Sequence, residues 1–404
     1  MKLTNKGDII EVCKKLKKDI VEDDFNKYWN GFIKSDLALY DDKNVYFIDY
    51  SNDRDVYIDK WNSNFFGSTV IKYNDKYMAI WDIKTLKPNT SYEKLYSGIV
   101  HEMFHCYQNE IGDKRYPNEV MAVNYPINKE NITLRTLERK YLLRAVFEKD
   151  IEEKNKLISQ FISYREKRKG IIGDYLDYEL GLESMEGTAM YVEYKGFLEK
   201  SLLPREFVLS KYGLDLSDYP KDLKKLRPSC YSAGVFICLL LDKLVPDWKV
   251  KYIQSQKFLY DILKGNIKLV QNSVSIEDYS IGEYLIQIDK VSRFREINKV
   301  KSGKKYKIIL RGDMGLAGFD PMNIVKYKDK ILHKHFIKIR TNDKEYFIKG
   351  SATCKHKDSF WKVEEVEIYT NKEPVIYDGK LVIGNKAHLE GSISNKDNIY
   401  RVNL

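Results

Sequence analysis

Histidine is scarce in this chain, with six in 404 residues. Four of them, His333, His335, His356 and His388, fall in the last third, so the first 332 positions hold only two. Cysteine is sparse too. Cys13, Cys106, Cys230, Cys238 and Cys354 are odd in number, scattered and never in a CxxC spacing. That excludes a disulfide framework and a cysteine zinc site. Long hydrophobic runs are missing: the longest, Gly234 to Leu241, is far too short to span a bilayer and is followed by Asp242 and Lys243. The opening MKLTNKGDIIEVCKKLKKDI lacks an apolar run of signal-peptide length. These absences predict a cytoplasmic protein without a membrane partner. Internal repeats, low-complexity tracts and a well-spaced glycine-rich phosphate loop are absent as well.

The length allows two or three domains and a core that folds without disulfides. Hydrophobic residues make up 43% and charged residues 32%, a balance ordinary for a globular protein. The net charge of +10 raises the question of nucleic acid. The lysines, however, are spread among nearly as many acids. The densest basic runs, Lys14 to Lys18 and Lys221 to Arg227, are short and read as solvated faces, so no nucleic-acid partner is expected.

The pattern predicts an α+β fold. Residues 8–33 read as a helix with Ile9, Ile10, Val12, Leu16 and Ile20 on one face. Residues 44–50, 68–73 and 76–83 read as strands, the last two joined by an Asn74-Asp75 turn. A capping box from Thr90 to Glu93 starts a helix that runs to about Asn109. Helical periodicity covers 134–148, 151–167 and 173–200, with charged faces. Pro204 and Pro220 punctuate a link, and further helices are expected at 231–244 and 254–263. After about residue 290 alternating strands predict a separate all-β domain, a small sandwich or barrel. The expected organisation is therefore residues 1–90 as a helix and small sheet belonging to the catalytic unit, 91–285 as a helical domain, and 290–404 as the C-terminal β domain.

The two N-terminal histidines stand in His101-Glu102-Met103-Phe104-His105. Four residues apart on a helix, both imidazoles lie on one face and can share one metal ion. A hydrolytic zinc site needs three protein ligands and an open position for water, with Zn–N distances of about 2.0–2.1 Å. Glu102 is placed to act as general base. The apolar Ile99, Val100, Met103 and Phe104 would bury the helix. No third His or Asp follows in metzincin spacing, so the third ligand is expected from a glutamate on a later helix. The segment Glu183-Ser-Met-Glu186-Gly-Thr-Ala-Met-Tyr-Val-Glu193-Tyr offers one. Glu179, Glu186 and Glu193 share a face, and only one can meet the metal. Glu186, followed by small Gly187 and Ala189 that would let its helix approach the first, is the leading candidate, with Glu183 next.

HEMFH followed by MEGTAMYVEY resembles the gluzincin class of zinc metallopeptidases, closest in wording to the aminopeptidase N and leukotriene A4 hydrolase branch. The resemblance covers roughly residues 70–260. It implies a thermolysin-like catalytic unit with one Zn²⁺ per chain and Glu186 as third ligand. It also implies that Glu193 is a carboxylate behind the ligands, with Glu183 a further candidate for that place. Tyr231, in Cys230-Tyr231-Ser-Ala-Gly234, matches the branch's Tyr-x-x-Gly and by resemblance supplies a phenol to the developing oxyanion. Two features depart from the branch. His105 and Glu186 stand 81 positions apart, far more than usual, which reads as a helical insertion or lid. The Gly-x-Met-Glu-Asn segment that receives a substrate's free amine is missing. Lys76 to Ile83 stands in its place, a strand expected to line the cleft and pair with an extended peptide.

The chain thus reads as a zinc metallopeptidase with His101, His105 and Glu186 as ligands and Glu102 and Tyr231 as catalytic groups. Two rivals remain at this stage: a zinc hydrolase of a non-protein amide, and a binding or scaffold protein with a vestigial site. Cys106 reads as core. His333 and His335, alternating on a predicted strand, lack neighbouring carboxylates.

Overall fold

The computed structural model describes residues 6–48, 50, 56–217, 223, 226–270 and 276–404. Asp49, at the end of one expected strand, Pro220 and most of the 221–227 basic run lie outside them. The chain divides into two compact units. The first comprises 1–117, 133–221 and 225–277, and the second 118–132, 222–224 and 278–404. Residues 118–132 and 278–285, expected in the helical domain, thus group with the strand-rich unit.

The first unit opens with α1 (Lys6–Glu22), which buries Ile9, Cys13, Leu16 and Ile20. The helix expected to reach residue 33 stops eleven residues earlier. Asp24 takes an extended backbone and its carboxylate accepts from the Asn26 amide, which caps a short 3-10 turn instead. Trp29, beyond that turn, is buried with its ring 5.1 Å from Phe104 and 5.2 Å from Trp248.

Five strands follow: β1 (Asp36–Tyr40), β2 (Asn44–Ile48), β3 (Tyr57–Lys60), β4 (Thr69–Tyr73) and β5 (Lys76–Asp82). They form one sheet in the order β3-β2-β1-β5-β4. β1 runs parallel to β5, and the remaining pairs are antiparallel. Asn74 and Asp75 both have positive φ, 48° and 63°, the signature of a tight hairpin turn. The 76–83 strand, expected to present its edge to a peptide, has both edges occupied by β1 and β4. Between β4 and β5, the outer place belongs to β4.

α2 (Tyr92–Glu110) lies against β5. A Cβ on Gly98 would fall 2.5 Å from the Trp81 ring, so the glycine makes room for the indole. Ser91 caps α2 by accepting from the Lys94 amide. The cap therefore falls one residue later than the expected box places it, and the Thr90 hydroxyl is used earlier, accepting from Lys87 N.

After α3 (Val120–Val123), which belongs to the second unit, come α4 (Lys129–Phe147), α5 (Ile151–Ile172), α6 (Tyr175–Lys200), α7 (Arg205–Tyr212) and α8 (Leu226–Leu244). α9 (Trp248–Ser255) and α10 (Leu259–Asn266) replace the single helix expected at 254–263. Gln256, at φ 53°, breaks the run. α6 is the spine, packed on α2 on one side and α8 on the other. Gly187 does not face α2 as expected: a Cβ there would lie 2.5 Å from the Gly234 Cα on α8. The glycine nearest α2 is Gly196, beside Val100.

The charged faces of α4, α5 and α6 turn inward. Glu138, Glu179 and Glu183 are fully buried, as are Arg165 and Arg168, and Arg135 and Arg139 are nearly so. Arg139 and Arg165 each hold Glu183 at 2.6 Å. Arg165 reaches Glu138 as well, and Arg168 joins Glu138 to Glu179. Charges removed from water persist only when paired this closely.

The second unit is strand-rich but not all-β: α11 (Ser280–Lys301), 22 residues long, begins its main part. Its strands are β6 (Tyr306–Phe319), β7 (Ile324–Tyr327), β8 (Lys330–His333), β9 (Phe336–Arg340), β10 (Glu345–Lys349), β11 (Ala352–His356) and β12 (Lys362–Thr370). They pair in the order β10-β9-β6-β12-β11-β8-β7. β13 (Val375–Tyr377), β14 (Lys380–Ile383) and β15 (Ala387–Glu390) make a small separate sheet. β16 (Ser392–Lys396) and β17 (Ile399–Asn403) return the chain to β6, with β17 parallel to it. Long β6 pairs with β17 over its first half and β9 over its second. Bulges where it meets β9 and β12 bend it, as bulges do. Val120 and Val123 of α3 pack on the apolar core of these strands, which explains why that segment joins this unit.

All five cysteines are free and buried. Burial pushes the Cys106 thiol up to about 12, as expected of a core residue. Among the described residues no helix is long and apolar enough to cross a membrane.

Candidate metal centre

α2 carries His101 and His105 one turn apart toward α6. Their Nε2 atoms are 3.1 Å from each other. Glu186 Oε2, from α6, lies 3.7 Å from His101 Nε2 and 3.3 Å from His105 Nε2. One ligand atom from each of the three falls within 4.8 Å of the others. The expected third ligand is therefore brought to the motif. Glu183, its alternate, is not: one helical turn away, its carboxylate is consumed by Arg139 and Arg165. Glu179 is likewise in that buried lattice.

The far side of each imidazole is occupied. Glu193 Oε2 sits 3.2 Å from His101 Nδ1. Glu193 is itself held by Lys94 and by the Tyr212 hydroxyl, which donates at 3.1 Å. Gln108 Oε1 is 2.6 Å from His105 Nδ1. The orientation of that amide is fixed, because its nitrogen donates to Met185 O at 2.9 Å and Thr188 Oγ1 at 3.0 Å. The oxygen must then accept from His105, which places the proton on Nδ1 and the lone pair on Nε2. A carboxylate or carbonyl behind a histidine in this way is the support that metal-ligating imidazoles require.

The electrostatics demand positive charge at the centre. Burial works against charge on His101, yet Glu186 and Glu193 outweigh it and raise its pKa to about 10. Burial also opposes ionisation of Glu186, but the two histidines and Arg227 hold it well below the ordinary carboxylate range. Glu102 moves the other way. Its burial raises its pKa; the two histidines oppose the rise, and Glu186 and Glu193 add to it. Two imidazole nitrogens and a carboxylate oxygen, all facing inward with their supports behind them, fit Zn²⁺ in chemistry and number. A divalent cation would supply the positive charge that Glu186 and Glu193 favour at this point.

Tyr231 sits in the second turn of α8, not at its start as expected, since the helix begins at Leu226. Its hydroxyl accepts from Arg227 Nε at 3.0 Å, and Arg227 Nη2 donates to Glu186 Oε1 at 3.2 Å. The phenol is thus joined to the ligand carboxylate through one guanidinium. Arg227, Gln108, Lys94 and Tyr212 were not singled out from sequence. Gln108 was reachable, three residues after His105 on a helix. Arg227 was hidden in a basic run, although it stands four residues before Tyr231.

His333 and His335 do not form a second centre. β8 ends at His333, which is buried, while His335 is exposed and 2.9 Å from Asp320. Comparison with protein-family models, curated proteins and solved structures finds no match to this chain.

Proposed function

We propose that this chain is a zinc-dependent peptidase of the gluzincin kind, with His101, His105 and Glu186 holding one Zn²⁺. The observation that carries the reading is the convergence of two Nε2 atoms and one Glu186 oxygen within 4.8 Å, each imidazole being backed by Glu193 or Gln108. A mixed sheet, a motif helix lying against it and a glutamate helix beyond suit a thermolysin-like unit. Zn²⁺ in such a site supplies Lewis acidity toward a carbonyl and toward water.

The chain's own groups do the rest. Glu102 takes the proton of the attacking water on its carboxylate and hands it to the departing amine. Its upward shift, caused by burial, favours the protonated form that the second half of this task needs. The two histidines, with Arg227 adding to them, keep Glu186 ionised, and Arg227 aims its carboxylate. Tyr231 donates its phenolic proton to the carbonyl oxygen as negative charge develops there. The Arg227 bond to that hydroxyl oxygen strengthens it as a donor. The outer strand β4 offers backbone groups for pairing with an extended peptide.

Glu102→Gln tests the reading. The substituted protein should retain about one zinc per chain, since Glu102 is not a ligand. Its peptide hydrolysis should fall by about 10²-fold or more. Cleavage at the parent rate would overturn the mechanism.

A further inference from the structure

A concavity of about 590 Å³ opens in the strand-rich unit, far along the chain from the histidine motif. Its wall carries Lys299 of α11, Lys304 just after that helix, Lys334 between β8 and β9, and Lys386 between β14 and β15. Against these four ammonium groups stands one carboxylate, Glu296, which holds Lys334 at 2.6 Å. No ion pair to Lys299, Lys304 or Lys386 exists among the described residues.

In the same unit Lys307 and Lys330 share Glu367, and Lys344 and Lys380 share Glu390. Lys386 is also held in place. Its ammonium donates to Tyr369 O at 3.4 Å, and its backbone is fixed on a turn by Ile383 O and by Lys349 N. Burial, with the Lys304 charge adding to it, keeps Lys386 below the ordinary lysine range. Like charges gathered on a concave wall repel one another unless an anion joins them. Lysine is a point-charge binder of phosphate. Apolar Val300 and Leu332 line the same space, and its volume is that of a small-molecule site.

We propose that this concavity binds a small molecule bearing at least two phosphate groups, with Lys299, Lys304 and Lys386 on the phosphates and the Val300–Leu332 surface against any organic body. The site is independent of the zinc reading and stands or falls without it.

Calorimetric titration with inorganic pyrophosphate and with ATP, at about 0.15 M salt, tests it. Saturable binding of one ligand per chain is expected. The double substitution Lys304→Gln with Lys386→Gln should weaken it about tenfold or more. Lys362→Gln with Lys396→Gln removes the same charge from exposed positions outside the concavity and should change it by less than about twofold. Tighter binding of ATP assigns an organic body to the ligand, and equal binding assigns polyphosphate alone. Either supports the site. Absence of saturation at millimolar ligand, or equal loss in both double variants, overturns it. Amine acetylation of the unsubstituted protein gives a second test that needs no variant. Pyrophosphate should protect Lys299, Lys304 and Lys386 but not Lys362 or Lys396, and uniform labelling overturns the proposal.

Discussion

Gly187 and Gly234 meet backbone to backbone. A Cβ on Gly187 would lie 2.5 Å from the Gly234 Cα, and one on Gly234 would lie 2.3 Å from Glu183 O. This contact sets how close α6 comes to α8, and so how close Glu186 comes to Arg227 and Tyr231. Neither glycine has a positive φ, so space rather than backbone freedom is the constraint. Gly234→Ala should therefore act as overpacking against main chain, costing about 1–3 kcal/mol. A denaturant titration reads the cost, and an unchanged midpoint would contradict the contact.

Gln108 acts through His105. Replacing it by Leu removes the acceptor behind His105 Nδ1 and leaves Met185 O without that donor. Zinc affinity should fall by about 10–100-fold in a folded protein. Competition with a metal-sensitive dye measures this, and undiminished affinity would show that the amide does not orient the ring.

Glu183 and Glu186 lie one helical turn apart but have opposite roles, which paired substitutions separate. Glu186→Gln should abolish stoichiometric zinc with a modest change in melting. Glu183→Gln should retain zinc and lose about 3–5 kcal/mol, because Arg139 and Arg165 are left buried beside a neutral group. Metal analysis and unfolding on both variants decide the assignment, and loss of zinc from Glu183→Gln alone would reverse it.

His333 makes the strand-rich unit acid-sensitive. It is 1% exposed, and burial, with a smaller push from His356, lowers its pKa from 6.5 to about 3. Once unfolded, the ring takes a proton below about pH 6.5, while the native ring stays neutral until about pH 3. The unfolded state thus binds more protons in that window, and stability falls as pH falls through it. The slope from this one group approaches about 1.4 kcal/mol per pH unit. His356, also lowered by burial, adds to it. Unfolding of His333→Leu measured from pH 7 to pH 4 should show a shallower acid loss than the parent, and parallel curves would refute the assignment.

The motif helix was legible because three local signals agreed: an apolar face, a hydroxyl cap and two histidines at helical spacing. The cap was misplaced by one residue because Thr90 and Ser91 are adjacent and chemically equivalent until the turn before them is built. β1 was not legible: Leu37, Ala38, Leu39 and Tyr40 are all buried, and a strand covered on both faces has no alternation to read. α11 escaped because Tyr284, Val291 and Phe294 lie exposed opposite its buried Leu285, which blurs the stripe that marks a helix. The helices that hold the buried ion lattice were expected to have charged faces, but the pairing of those charges was not legible. A charge pattern along one helix does not reveal that its partners stand on another, and only the packing of α4, α5 and α6 pairs Glu138 with Arg165 and Arg168. Arg227 was lost for the same reason.

The burial of all five cysteines has a practical outcome for spectroscopy. Cys230 lies among arginine and glutamate side chains, with its thiol raised to about 11 by burial, and Cys13 is raised to about 12 for the same cause. Thiolate is the reactive form, so maleimide probes find little to attack on the native chain. A cysteine introduced at fully exposed Leu202 would take a fluorophore or spin label selectively. Probes that follow the α6–α7 corner can then be installed without first stripping the native thiols from the core.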